Sequence, residues 1–135
     1  MTFLLDTNAC IALLNGRPDS VRGRFERAIK KGDQVATSAI VLFELRYGVA
    51  KSTRPKENAE RLETFLSGPI EVIDFTVEDA EHAGVIRAAL ETAGTPIGAY
   101  DLLIAAQAKR LSATLVTANS DEFSRVKALR LQDWA

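Results

Sequence analysis

Three acidic residues stand where a charge should be costly. Asp6 ends the apolar run Phe3-Leu4-Leu5, Glu44 interrupts Ile40-Val41-Leu42-Phe43 and Leu45, and Asp101 precedes Leu102-Leu103-Ile104. Asp121 and Glu122 are less extreme, but they follow the apolar Leu115-Val116-Thr117. Of the eighteen Asp and Glu, most others lie among charges and read as surface, among them Glu57, Glu60, Glu63, Glu78, Asp79, Glu81 and Glu91. Burying an unpaired carboxylate costs several kcal/mol or forces it to take up a proton. Arg46 and Arg87 could each serve a buried acid, but they give no full set of pairs. A divalent cation answers for all three acids. Mg²⁺ and Mn²⁺ prefer oxygen ligands, and a dication reverses the pKa rise that crowded carboxylates impose on one another. With waters left on the metal, such a cluster suits phosphoryl chemistry. Each acid alone has a plainer explanation: a helix cap for Asp6, Asp101 and Asp121, a buried ion pair for Glu44. Together they favour a metal site. No Gly-x-x-x-x-Gly-Lys-Ser/Thr loop is present, which argues against nucleotide triphosphate hydrolysis. The one histidine, His82, sits among Asp79, Glu81 and Ala83 on a polar helix and reads as surface.

Alternating strands and helices must position these acids. Phe3-Leu4-Leu5 is too short for a helix and reads as a buried strand; Ala9 to Leu14 then reads as a helix capped by Thr7 or Asn8. A second helix is expected from about Asp19 to Lys31, with Pro18 at its start and Val21, Phe25, Ala28 and Ile29 as its stripe. Gln34 to Thr37 reads as a strand. Ser38 caps the run Ala39 to Ala50, which is apolar nearly all round and is therefore expected to be buried. Lys56 to Leu66 is an amphipathic helix, Ile70 to Ile73 a strand, and Thr76 the cap of a long helix to about Thr92. After the loop 94–98 come a helix from Ala99 to Leu111, a strand Thr114 to Thr117, a polar segment 118–123 and a last short edge strand near Leu129 to Leu131. Hairpin signals are missing, so the pattern implies a mostly parallel sheet of four to five strands with helices on both faces. In such a sheet the strand ends share one edge, where ligands bind. Acids far apart in sequence can meet there.

A length of 135 residues fits one domain spanning 1–135. Apolar residues at 47% and charged residues at 26% are ordinary for a globular protein. No apolar run approaches the roughly 20 residues that span a bilayer, and no signal-peptide pattern opens the chain. The single cysteine, Cys10, excludes an internal disulfide and a cysteine zinc site; it reads as core, and a cytoplasmic location is expected. Net charge is −1 and uninformative, but its distribution is not. Arg17, Arg22, Arg24, Arg27, Lys30 and Lys31 face only Asp19 and Glu26, and Arg46, Lys51, Arg54 and Lys56 face no acid. These segments could line a phosphate-binding rim or be solvated helix faces.

The ordered set of motifs resembles PIN-domain ribonucleases, specifically the VapC-type toxins of bacterial toxin–antitoxin pairs. It comprises Phe3 to Asn8, Ser38 to Gly48, Pro96 to Ala106 and Leu115 to Phe123, and the likeness runs on to Asp133-Trp134. The resemblance implies a compact α/β/α fold and Mg²⁺- or Mn²⁺-dependent endonucleolytic cleavage of RNA. It makes Asp6 and Asp101 direct metal ligands and lets Glu44 bind directly or through water. Thr7, Asn8, Thr117 and Asn119 would steady the site. At the fourth acidic position many relatives have an acid where this chain has Asn119; Glu122 is preferred for the role, with Asp121 its rival. The resemblance also implies attack of a metal-activated water on a backbone phosphate with the 3′ oxygen leaving, a homodimer, and inhibition by a cognate antitoxin.

Other acid-rich folds fit less well. A phosphorylation-dependent receiver domain needs an acid pair after the first strand and a Lys after the last, and a haloacid-dehalogenase-type phosphatase needs Asp-x-Asp; here Thr7-Asn8 follows Asp6, and no Lys follows Val116-Thr117. A catalytically decayed RNA- or protein-binding module remains the alternative, and Mg²⁺-dependent RNA cleavage separates it from an enzyme.

Overall fold

The computed structural model describes residues 1–135. Its elements run β1 (Thr2–Leu5), α1 (Thr7–Asn15), α2 (Asp19–Lys30), β2 (Gln34–Ser38), α3 (Ala39–Lys51), α4 (Pro55–Leu66), β3 (Glu71–Ile73), α5 (Val77–Thr92), α6 (Ala99–Arg110), β4 (Thr114–Val116), α7 (Ser120–Phe123) and β5 (Arg130–Gln132). The five strands form one sheet in the order β3-β2-β1-β4-β5, and every pair is parallel. The expected α/β class and parallel sheet are borne out, with five strands.

Strand order explains where a site can form. From β1 the chain steps outward through α1 and α2 to β2, then through α3 and α4 to β3. It then returns through α5 and α6 to β4 on the other side of β1. Right-handed crossovers therefore place α1 to α4 on one face and α5 to α7 on the other. The connections diverge between β1 and β4, which opens a crevice at their carboxyl ends. The ladder closes this crevice from below: Asp6 N–H donates to Val116 O at 3.1 Å and Thr117 N–H to Gln132 O at 2.9 Å.

Leu4, Leu5, Ala36, Leu115 and Val116 are buried, as strands covered on both faces require. Cys10 is buried as expected, and His82 is exposed. Phe3 meets Trp134 edge-on at 5.2 Å, which seats the C-terminal segment on the sheet. No helix is long and apolar enough to cross a membrane.

Three local expectations are corrected. Helix α1 opens at Thr7 and is capped by Asp6, whose side chain accepts Ala9 N–H, rather than by Thr7 or Asn8. Asp6 has extended backbone and is the last residue before the helix, so its carboxylate is the one in position. Helix α3 is not buried all round: Val41 and Leu45 face the core, but Phe43 and Tyr47 are exposed. Only one face of α3 meets the sheet and α4, and its other side borders the crevice. Asp79, expected at the surface, is wholly buried. It closes a capping box with Thr76 and takes both guanidinium contacts of Arg110.

Candidate active site

Four of the expected acids gather at the crevice. Asp6 comes from the end of β1, Glu44 from the first turns of α3, Asp101 from the start of α6 and Glu122 from α7. Asp6 is buried, while Glu44, Asp101 and Glu122 are half-buried. The cap bond from Ala9 N–H occupies Asp6 Oδ1 at 2.8 Å. Glu44 Oε1 accepts the Thr7 hydroxyl at 2.7 Å, so α1 steadies a carboxylate on α3. Glu44 has no cation partner, because the nearby Arg46 pairs with Glu63. The ion-pair explanation for Glu44 therefore lapses.

Glu122 is held from two sides. Gly98 N–H donates to its Oε1 at 2.6 Å and Asn119 Nδ2 to its Oε2 at 2.6 Å. Asn119 N–H in turn rests on Thr117 Oγ1 at 2.9 Å. A Cβ on Gly98 would lie 3.5 Å from Glu122 Oε1 and 3.7 Å from Asp101 Oδ2, so both carboxylates close on this glycine. Arg125 reaches across to Pro96 O at 2.9 Å and ties α7 to the loop before α6. Gly98 holds the cap position of α6 without a side-chain bond, and Asn119 does the same for α7. The cap explanation thus fails for Asp101 and Asp121 and survives for Asp6, which caps α1 while facing the crevice.

The electrostatics record the crowding. Burial raises the Asp6 pKa; hydrogen bonds from the Thr117 hydroxyl and Ala9 N–H oppose the rise, and the charges of Glu44 and Asp133 add to it. Asp101 is pushed up to about 6, first by burial and then by the charges of Glu122, Asp6 and Glu44. Glu122 lies below the usual range because Gly98 N–H, Asn119 and Arg125 favour its charged form against a burial penalty. Asp101 thus lies in the field of the other three acids, and Asp6 in that of Glu44.

Asp121 differs. It is exposed, and its side chain makes none of these contacts. Phe123 is fully buried and fixes the rotation of α7, which turns Glu122 inward and Asp121 outward. If the chain has the RNA-cleaving activity its resemblance implies, Glu122→Gln is expected to lower it by about tenfold or more, while Asp121→Asn leaves it within about twofold; single-turnover rates on one RNA decide, and equal effects would remove Glu122 from the site.

Sequence reading missed Gly98, Arg125 and Asp133. Asp133 follows β5 as Thr117 follows β4, so its strand-end position was an available signal. For Arg125 and Gly98 no comparable signal existed, because both act through the fold's closure of two loops.

The donor set is all oxygen, which suits a hard dication such as Mg²⁺ or Mn²⁺. The side chains do not form a ready group of three closed on one point. Mg²⁺ does not require one, since it binds through one or two carboxylates and retains water.

A parallel five-stranded α/β fold with acids converging at its switch point defines a class, and comparison with known proteins gives it a family. The PIN domain model matches residues 3–129, and the chain belongs to the PIN-domain family. Ribonuclease VapC2 of Rickettsia felis is 43% identical over 134 residues, covering 99% of this chain and 98% of the relative. The tRNA(fMet)-specific endonuclease VapC of Salmonella typhimurium is 40% identical over 99% of this chain and 98% of its own length. The crystal structure of VapBC2 from Rickettsia felis bound to a DNA fragment from their promoter superposes with a TM-score of 0.93 at 42% identity, covering 100% of both chains.

Proposed function

We propose that this chain is a divalent-metal-dependent endoribonuclease and the toxin of a toxin–antitoxin pair, with Asp6, Glu44, Asp101 and Glu122 as its working carboxylates. The observation that carries the reading is the convergence of these four acids at the crevice beside β1, where burial and then the charges of Glu122, Asp6 and Glu44 push Asp101 up to about 6. A dication removes that penalty. When bound, Mg²⁺ or Mn²⁺ would acidify water and neutralise charge at a backbone phosphate, for in-line displacement with the 3′ oxygen leaving.

The chain's own residues supply the frame. Asp6 and Asp101 present oxygens from opposite walls of the crevice. Thr7 fixes Glu44, and Gly98 with Asn119 fixes Glu122, so neither long side chain loses much freedom when the cation arrives. Thr117 supports both Asp6 and the Asn119 backbone. Asn8, exposed one residue past Thr7, borders the same entrance.

Partners follow from the relatives. VapBC structures contain this fold, so a cognate antitoxin is expected to cover the acidic crevice, and an Arg from it would make a strong charge-assisted bond there. The exposed Phe43, Tyr47 and Tyr100 beside the acids support a homodimer, since clustered apolar exposure marks an interaction surface. A cytoplasmic location suits an RNA-cutting toxin.

The test is incubation of the purified chain with initiator tRNA and with a mixed RNA pool, in Mg²⁺, Mn²⁺ or EDTA. The Salmonella typhimurium relative's name makes tRNA(fMet) the first substrate to try. Cleavage that requires the cation and leaves 5′-phosphates supports the reading. Metal-independent cleavage overturns the mechanism, and RNA binding without cleavage supports a decayed binding module.

A further inference from the structure

Beside the acids, on the β5 side, lies a second concavity of about 250 Å³ between α1, the start of α2 and the ends of β4 and β5. Asn8 and Thr117 line it, and both flank Asp6. Its other lining includes Arg17, Val116, Asp133 and Trp134. Helices α1 and α2 lead away towards β2, and α7 lies on the opposite face.

The lining has the chemistry of a nucleotide subsite. Arg17 is exposed, and its guanidinium makes no ion pair or hydrogen bond within the chain. Its neighbours Arg22 and Arg24 are engaged: Arg22 donates to Leu13 O at 2.8 Å and Arg24 to Gln132 Oε1 at 3.3 Å. Arg54, in the second basic run, pairs with Glu57. The Asn8 side chain is likewise exposed and unbonded. Asp133 uses Oδ1 to accept Ala135 N–H at 2.9 Å, which leaves Oδ2 open. Its charge is felt by Asp6, so the pocket adjoins the reacting centre. Val116 and Trp134 close the base of the concavity, and the exposed Ile11 in its wall gives a ring apolar surface to lie against. The volume lies below the roughly 300–1,000 Å³ of pockets for drug-sized ligands, which suits one base and not a longer segment.

Resting on the ribonuclease reading, we propose that this pocket receives the nucleobase next to the scissile phosphate and sets the base preference of cleavage. Arg17 meets a flanking phosphate, as a guanidinium does well. Asp133 accepts N–H groups from the edge of the base, with the Asn8 amide beside it. An ionised carboxylate oxygen can accept two hydrogen bonds, so Oδ1 keeps one acceptor position beside the open Oδ2; the pair favours a base that offers two adjacent N–H donors, and guanine is the expected occupant. Unstacked bases of single-stranded RNA are read in this way.

The experiment sequences the RNA ends produced from a random-sequence pool by wild type, Asp133→Asn and Arg17→Ala. The readout is the ratio of cuts beside each base, in which any general loss of rate cancels. Wild type is expected to show a guanine preference at one position adjoining the cut. Asp133→Asn should reduce it by about fivefold or more, on the scale of one hydrogen bond to a charged group. Arg17→Ala should raise KM on a single RNA by about fivefold and make it less sensitive to salt, since one phosphate contact is lost. An unchanged preference in Asp133→Asn, or a preference for a base without paired N–H donors, overturns the subsite. No cleavage by wild type of either this pool or initiator tRNA overturns the ribonuclease reading, and the subsite with it.

Discussion

Asp6→Asn and Asp101→Asn are each expected to lower RNA cleavage by more than about 100-fold, since loss of a residue that merely supports a metal ligand already costs about 10–100-fold. Both proteins should remain folded. Asn is as good a helix cap as Asp, so the amide oxygen introduced by Asp6→Asn would still accept the Ala9 N–H. The substitution also removes a charge that burial disfavours. For Asp101 the sign of the stability effect follows from its pKa, which rises from 3.8 to about 6 in the folded chain. The folded state therefore holds more protons than the unfolded state between these values, and its stability falls as pH rises through that window. Above about 6 the penalty on the carboxylate is complete; below 3.8 it is absent. Metal-free Asp101→Asn should thus melt above wild type at pH 7, and the difference should shrink on acidification towards pH 4. Mn²⁺ titration should stabilise wild type and stabilise either variant much less. Full cleavage by either variant in Mg²⁺ would refute the site.

Arg110→Ala is expected to cost about 3–5 kcal/mol of folding stability, the usual result of leaving a buried charge without its partner. Asp79 is fully buried and Arg110 is 20% exposed, so the pair is asymmetric. Burial works to raise the Asp79 pKa, but the Arg110 hydrogen bonds and charge, with the Thr76 backbone N–H and hydroxyl, outweigh it and hold the carboxyl below the usual range. Asp79→Ala should cost less, because the freed Arg110 can reach water while only the capping box is lost, at about 1 kcal/mol. Urea unfolding at pH 7 gives the order. A larger loss in Asp79→Ala would mean that the cap matters more than the ion pair. A depressed carboxyl pKa contributes stability above its unfolded value and loses it as pH falls through the folded one. In Arg110→Ala, burial raises the Asp79 carboxyl with less opposition, so the variant takes up that proton first and its gap to wild type should narrow as pH falls from 7.

Much was legible in the chain before any coordinates. Strands and helices announce themselves because side-chain burial repeats every two or 3.6 residues, a local property. Ser38 and Thr76 could be assigned as caps because the cap bond spans only two or three residues. Asp6, Glu44 and Asp101 stood out because each interrupts apolar neighbours, and desolvation cost is also largely local. The resemblance to PIN-domain proteins added order and spacing to those signals. Other features depended on contacts between distant segments. Asp79 looked like a surface acid among charged neighbours until Arg110, thirty-one positions away, supplied its partner. Helix α3 looked buried all round because composition cannot say how many faces meet a neighbour. The choice between Asp121 and Glu122 rested on the rotation of α7, which the buried Phe123 sets and no adjacent residue reveals. Asp133 entered the neighbourhood of Asp6 only because β5 pairs beside β4. A sequence carries the cost of placing each charge; which partner, loop amide or neighbouring charge answers that cost depends on the non-local packing that brings them together.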